Sequence, residues 1–121
     1  MRVFDFSEMH ADPITEFDSS NVQSLLLGSG SGKNHVYCVY CEAGGVIGPH
    51  PTGFCQLFLV VEGSAWAQGE DDRRRVLTRG QGAFFDRGEK HSKGSDEGGM
   101  VVMIQSDSLR LAAPELELPV R

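Results

Sequence analysis

The chain has 121 residues, of which 40% are hydrophobic and 23% charged. These values are typical of one soluble globular domain, which at this length can bury a single core without disulfides. The net charge of −6 argues against nucleic acid or an anionic membrane surface as the main partner, because both favour a basic face.

The first residues lack the long apolar core and the cleavage site of a secretion signal. No apolar run approaches the roughly 18 residues of a membrane-spanning helix. We therefore expect a cytoplasmic protein that has no membrane partner and whose cysteines are reduced.

In chain order, the sequence reads as short strands separated by glycine-rich turns, with a helical turn predicted only over residues 7–12. Turns are predicted at residues 28–32, 62–63 and 69–72. The predicted strands cover residues 3–6, 22–27, 35–42, 54–61, 64–68, 75–78, 83–85 and 100–105.

Short strands without intervening helices predict an all-β sandwich or barrel and not an α/β sheet. Residues 109–121 contain Pro114 and Pro119, so this end is predicted to trail along the surface. The glycine-rich run at residues 28–32 has no following helix, which argues for a hairpin loop and against a dinucleotide-binding turn.

Cys38 and Cys41 form a C-x-x-C pattern that could indicate a zinc or redox site. Their surroundings are β-branched and aromatic, which favours a strand. Residues three apart on a strand point to opposite faces, so the two thiols are not expected to meet.

Two glycine-framed segments each carry one histidine at a fixed offset. In the first, the anchor positions are Gly44, His50, Thr52, Gln56 and Gly63. In the second, they are Gly80, Asp86, Gly88, His91 and Ser95.

The spacing of these anchors resembles the two motifs of the cupin superfamily, over roughly residues 36–105. The chain departs from the pattern at four positions. Thr52 replaces the second histidine and Gln56 the glutamate of the first motif, while Asp86 and Ser95 replace the proline and the asparagine of the second. The resemblance implies a double-stranded β-helix (jelly-roll) barrel with little helix. It also implies a single domain over residues 1–121, with N-terminal strands in 1–35 and a trailing segment at 106–121.

Strand alternation predicts which side chains line the barrel. Residues of even number from His50 to Val60 would share one face of a continuous strand. The resemblance turns that face, and the Tyr37 face of the neighbouring strand, inward. The predicted ligand-binding residues are therefore Tyr37, Thr52, Phe54, Phe58 and Phe85.

In metal-binding relatives, three histidines and a glutamate hold iron, manganese, nickel, copper or zinc. Only His50, Gln56 and His91 remain here as candidate metal ligands. A neutral amide in place of the carboxylate leaves the charge of a divalent ion uncompensated, so we expect a weakened metal site or none. His10 and His35 lie outside the motifs and are assigned no role.

Two classes of function remain open at this stage, and no catalytic residue is assigned. The first is a cupin that binds an unknown small molecule, with no assigned reaction. The alternative is a metal-dependent enzyme (a dioxygenase, isomerase or lyase) that uses His50, Gln56 and His91. A metal-free isomerase would need an acid–base partner for a histidine, and Tyr37 is the candidate.

The resemblance also implies a homodimer, because cupins commonly pair through the outer face of a sheet or through an N-terminal strand. The apolar residues Val3, Phe4 and Phe6 and the run at 25–27 suit such an interface.

Overall fold

A computed structural model describes residues 1–116 of the chain. Within this range a short 3-10 turn, Glu8–His10, is the helical element. The strands are β1 (Arg2–Asp5), β2 (Asp12–Pro13), β3 (Gln23–Ser24), β4 (Gly28–Cys41), β5 (Gly45–Pro51), β6 (Cys55–Gln68), β7 (Arg74–Thr78), β8 (Gln81–Phe85), β9 (Lys90–Ser95) and β10 (Gly99–Leu111).

The larger strands form two antiparallel layers that share strand β6. The first layer has the order β1-β8-β6-β10-β4. In the second, β5 pairs with β9, and both β9 and β7 pair with β6. The first half of β6 pairs with β8 and its second half with β7, so the strand passes from one layer to the other. The predicted all-β jelly-roll barrel is therefore confirmed.

The core lies between the layers and is dominated by aromatic and small apolar side chains. Phe58, Val60, Phe85 and Val101 are fully buried on the inner face of the first layer. A second cluster around Phe4 covers part of the outer face of that layer. None of the helices in residues 1–116 has the length and apolar character needed to cross a bilayer.

Three of the predicted turns and ends are wrong in the same way, because strands continue through them. Residues 28–32 begin the long strand β4 and form no hairpin loop. Residues 62–63 lie inside β6, where a register shift opposite Met100 and Val101 marks a bulge. The segment assigned as trailing from residue 106 stays in β10 as far as Leu111. In each case pairing with a neighbouring strand outweighs the local preference for a turn.

The ends of the chain are fixed to the barrel as far as the structure describes them. Val3 and Phe4 are buried by the pairing of β1 with β8, so they are not available for a dimer interface. Glu115 forms an isolated bridge with Phe4, and the amide of Leu116 donates to Val3. The part of the predicted trailing segment after residue 116, including Pro119, lies outside the described residues.

Candidate functional site

Strand register arranges the inner face of the first layer in rows. One row runs across four strands through His35, Gln105, Gln56 and Phe85. The next row contains Tyr37, Met103, Phe58 and Ala83. Because directly opposed residues of antiparallel strands point to the same side, each row forms a band across the barrel wall. The expectation that Tyr37 faces inward with Phe58 agrees with this register.

His50 and His91 come from the facing layer and are register partners on β5 and β9. Their Nε2 atoms lie 3.2 Å apart. His50 is exposed at the rim, where its Nδ1 contacts the carbonyl oxygen of Gly48 at 2.8 Å. His91 is buried, and its ring packs edge to face with the Phe85 ring, with the two centroids 4.6 Å apart. The two motif histidines thus meet at the mouth of the barrel, one outside and one inside.

The continuous face predicted from His50 to Val60 is interrupted, because β5 ends at Pro51 and β6 begins at Cys55. Thr52 lies in the connecting turn, where its hydroxyl donates to the carbonyl oxygen of Phe54 at 2.8 Å. The hydroxyl predicted to bind a ligand is therefore engaged in stabilising the turn. The turn carries the chain from β5 in the second layer to β6 in the first, so His50 and Gln56 lie in different layers.

The structure adds Lys93 to this site. Lys93 is 2% exposed, and its Nζ donates to Oε1 of Gln56 at 2.5 Å. It lies 3.8 Å from Sδ of Met103 and within 5.7 Å of the ring centres of Phe58 and Phe85. None of the ion pairs among the described residues involves this ammonium. Lys93 is therefore a buried cation held by an amide, a thioether and two aromatic faces.

Sequence reasoning missed Lys93 because residues 90–95 were not predicted as a strand. The glycine and the serines of this segment lower its strand propensity, yet it pairs with β5 and β6. The signal that would have found it is alternation from the second motif. Once His91 faces inward on a strand, Lys93 and Ser95 must face inward too.

Burial and neighbouring charge change the pKa values of both inner groups on β9. Desolvation, followed by the nearby Lys93 and His50, lowers the pKa of His91 to about 3. Desolvation lowers the pKa of Lys93 to about 8. Near neutral pH the site therefore contains a neutral imidazole beside an ammonium ion.

The side chains present do not fit a divalent metal ion. The Nε2 separation of the two histidines suits adjacent ligands, since zinc–nitrogen bonds of about 2.1 Å place such nitrogens about 3.0 to 3.4 Å apart. However, the oxygen of Gln56 accepts from Lys93, and a second cation beside it would be repelled. Among the described residues, no group of three or more histidine, cysteine or acidic side chains could hold a metal.

Three aromatic side chains lie together near the mouth. The His35 ring is 5.4 Å from the Phe54 ring and 6.3 Å from the Tyr37 ring, between centroids. Tyr37 is 47% exposed, and its described contacts include no hydrogen bond to a histidine. His35, which the sequence left without a role, has a buried Nδ1 with no hydrogen-bond partner in the described residues, as does His91. The mouth therefore combines aromatic surface with two buried imidazole nitrogens that have no hydrogen-bond partner among the described residues.

The predicted ligand-binding residues divide into two groups by depth. Tyr37 and Phe54 are at least partly exposed and can contact a ligand directly. Phe58 and Phe85 are fully buried and border the Lys93 ammonium, so they shape the floor of the site.

The C-x-x-C pattern has the arrangement expected of a strand. Cys38 and Cys41 both lie on β4, and all three cysteines of the chain are free thiols. Cys38 is exposed, while Cys41 is half-buried.

Comparison with solved structures identifies the fold. An RmlC-like cupin from Shewanella frigidimarina matches at a TM-score of 0.57 and 23% identity, over 61% of this chain and 66% of that one. A cupin superfamily protein from Desulfitobacterium hafniense matches at 0.58 and 12% identity, over 88% of this chain and 98% of that one. A DMSP lyase from Ruegeria pomeroyi matches at 0.57 and 25% identity, over 72% of this chain and 47% of that one.

The chain is a small domain with the cupin fold, as the two motifs predicted. The aligned region spans just under two thirds of the Shewanella protein and about half of the lyase. No protein-family model matches the chain. No curated protein matches it either.

Proposed function

We propose that the chain binds a small organic anion, such as a carboxylate, at the mouth of the barrel without the help of a metal ion. The observation that carries this proposal is Lys93, a buried ammonium with no carboxylate partner among the described residues. An uncompensated cation in a low-dielectric interior attracts negative charge strongly. This favours the small-molecule-binding function over the metal-dependent enzyme.

The exposed residues of the mouth supply the groups that a ligand would meet first. His50 offers an imidazole at the rim, and Tyr37 offers a hydroxyl and an aromatic face. Phe54 and His35 add apolar contact beside them. A carboxylate would accept a hydrogen bond from Tyr37 while Lys93 stabilises its charge from behind, and the rings would pack on its organic part.

The acid–base alternative has less support. It needs a partner that hydrogen-bonds a histidine, and the described contacts of Tyr37 are with the ring of His35. The lyase from Ruegeria pomeroyi shares the fold, but the aligned region covers 47% of that protein, so its activity is not carried over to this chain.

The test is a thermal-shift and calorimetric screen that pairs each small carboxylate with its neutral amide. We expect carboxylates to raise the melting temperature and amides to leave it unchanged. Lys93→Met should weaken carboxylate binding by at least about tenfold, which corresponds to about 1.4 kcal/mol. The matched control is Lys33→Met, which removes the same charge from the exposed part of β4. Equal binding of amides and carboxylates would contradict the proposal.

A further inference from the structure

We infer that the Lys93 ammonium occupies the role of the metal ion in this barrel, and that removing it uncovers a latent metal site formed by His50, His91 and Gln56. This inference rests on the position of Lys93 and is independent of the ligand proposed above.

The first argument is that two of the candidate ligand atoms already have the spacing of atoms that bind one metal ion. The Nε2 atoms of His50 and His91 face each other at 3.2 Å, although they come from different strands. Nitrogens that share one transition-metal ion are separated by about 3.0 to 3.4 Å. The barrel therefore holds two imidazoles at a ligand spacing, where they form a hydrogen bond with each other that a bound ion would replace.

The second argument concerns the third ligand. The Gln56 side chain is 1% exposed and its Oε1 accepts from Lys93 Nζ at 2.5 Å. This oxygen is the atom that Gln56 would offer to a metal. Lys93 therefore takes a ligand from a divalent ion and also places a positive charge beside the oxygen that such an ion would need.

The third argument is the match of charge. A divalent ion held by two imidazoles and one amide would bring two uncompensated positive charges into the barrel, whereas the ammonium brings one. A single positive charge is well accommodated here, because it contacts the ring faces of Phe58 and Phe85 and the sulfur of Met103. Gln56, which stands where the cupin motif has a glutamate, and the inward-facing Lys93 are thus two parts of one change in the site.

The experiment titrates the purified protein with Co²⁺ and Zn²⁺ and follows the cobalt d–d absorption and the heat of binding. The wild type should bind at least about 100-fold more weakly than Lys93→Met, in which an unbranched side chain fills the same space. The double variant Lys93→Met/His91→Ala should lose the gained site. A further double variant, Gln56→Glu/Lys93→Met, restores an anionic ligand and should bind at least about tenfold more tightly than Lys93→Met.

Each remaining result overturns the inference. Equal affinity of the wild type and Lys93→Met would show that the lysine does not compete with the metal. Absence of binding by both Lys93→Met and Gln56→Glu/Lys93→Met, with folding verified by circular dichroism, would show that no latent site exists. A measurement on the wild type alone does not depend on any variant folding. If Zn²⁺ raises its melting temperature and EDTA reverses the rise, the ammonium does not replace the ion.

Discussion

At the scale of single residues, the site is defined by which charged forms the barrel tolerates. His91 and Lys93 lie two residues apart on β9, so both point into the space between the layers. Burial disfavours the charged form of each group, and the Lys93 ammonium further lowers the pKa of His91. Both residues therefore make folding depend on pH, and they do so in different ranges.

Replacement of Lys93 should stabilise the protein. At pH 7 we expect Lys93→Met to raise the free energy of unfolding by about 1 to 3 kcal/mol, because it removes an uncompensated buried charge. This net value includes the opposing cost of leaving the Gln56 side chain without a hydrogen-bond partner. In the wild type, the unfolded state binds more protons than the native state between about pH 8 and 10.5, so its stability rises with pH in this window.

The measurement is urea unfolding of wild type and Lys93→Met at pH 7 and pH 9.5. The difference between them should shrink at the higher pH. Lys33→Met is the matched control and should behave as the wild type does at both pH values. A variant less stable than the wild type at pH 7 would contradict the prediction.

Acid should destabilise the barrel through His91. The pKa of His91 in the native state, about 3, lies below the ordinary histidine value of 6.5, so between these values the unfolded state binds the extra proton. The contribution of His91 to the free energy of unfolding is complete above pH 6.5. It falls as pH decreases, by up to about 1.4 kcal/mol per pH unit. Unfolding curves between pH 7 and pH 4 should show a smaller loss in His91→Gln. Lys33→Met, on the exposed part of β4, should keep the wild-type slope, and equal slopes for all three proteins would refute this assignment.

At the scale of elements, the shared strand β6 determines how the two layers meet. Gly63 lies two residues beyond the bulge of β6, with a φ of +70°, and a Cβ atom placed there would approach the carbonyl oxygen of Gly98 to 2.5 Å. Both the left-handed conformation and the close backbone contact require glycine.

Gly63→Ala should therefore lower the free energy of unfolding by about 2 kcal/mol or more, because it combines backbone strain with a clash against main chain. Gly48→Ala is the matched control. It also lies in a strand of the barrel, but a Cβ atom there meets nothing within 4 Å. Chemical denaturation of both variants tests this, and similar losses at the two positions would contradict it.

Local patterns predicted the strands where β-branched and aromatic residues dominate and failed where glycine, serine and proline do. The segment at 35–42 was found because it is rich in valine and tyrosine, whereas β5 and β9 were hidden by Gly48, Pro49 and Gly94. Gly94 is there for packing, since a Cβ atom would strike the Trp66 ring at 2.7 Å. Such a requirement comes from a residue far away in the sequence, so a local pattern cannot show it.

The same reason divides the prediction of the site. His50 and His91 were found because the spacing of glycines and histidines is a property of the sequence itself. The Lys93–Gln56 contact depends on the pairing of β9 and on the distance between the layers, which are properties of the assembled barrel. The spacing of glycines and histidines therefore predicted where the site lies, whereas the packing of the two layers determined that Lys93 lies inside it.

At the scale of the whole molecule, one face of the first layer is apolar and open. Val36 is 68% exposed and Tyr40 is 74% exposed on the outer side of β4. Their register partners on β10 are Ile104 and Met100, with Val102 between them. Opposed residues share a face, so these side chains form an apolar patch, and Glu62, the β6 partner of Met100, lies at its border.

We predict that this outer face of β4 and β10 pairs with the same face of a second copy. The patch is apolar apart from Glu62 at its border, so a copy of itself can cover the centre of the patch without burying a charge, and two-fold pairing makes every contact twice. Tyr40→Asp should convert a dimer into a monomer, because dimerisation would bury two unpaired carboxylates at the centre of the interface.

Light scattering at micromolar concentration measures the mass of the wild type and the variant. The control is Val76→Asp on β7, which places the same charge at a site of similar exposure (64%) in the other layer. It should remain a dimer. A monomeric wild type would contradict the prediction, and loss of the dimer in Val76→Asp alone would place the interface on the second layer. Since Tyr37 alternates with Val36 on the same strand, pairing on the outer face would also hold β4 in position and so stabilise one wall of the mouth.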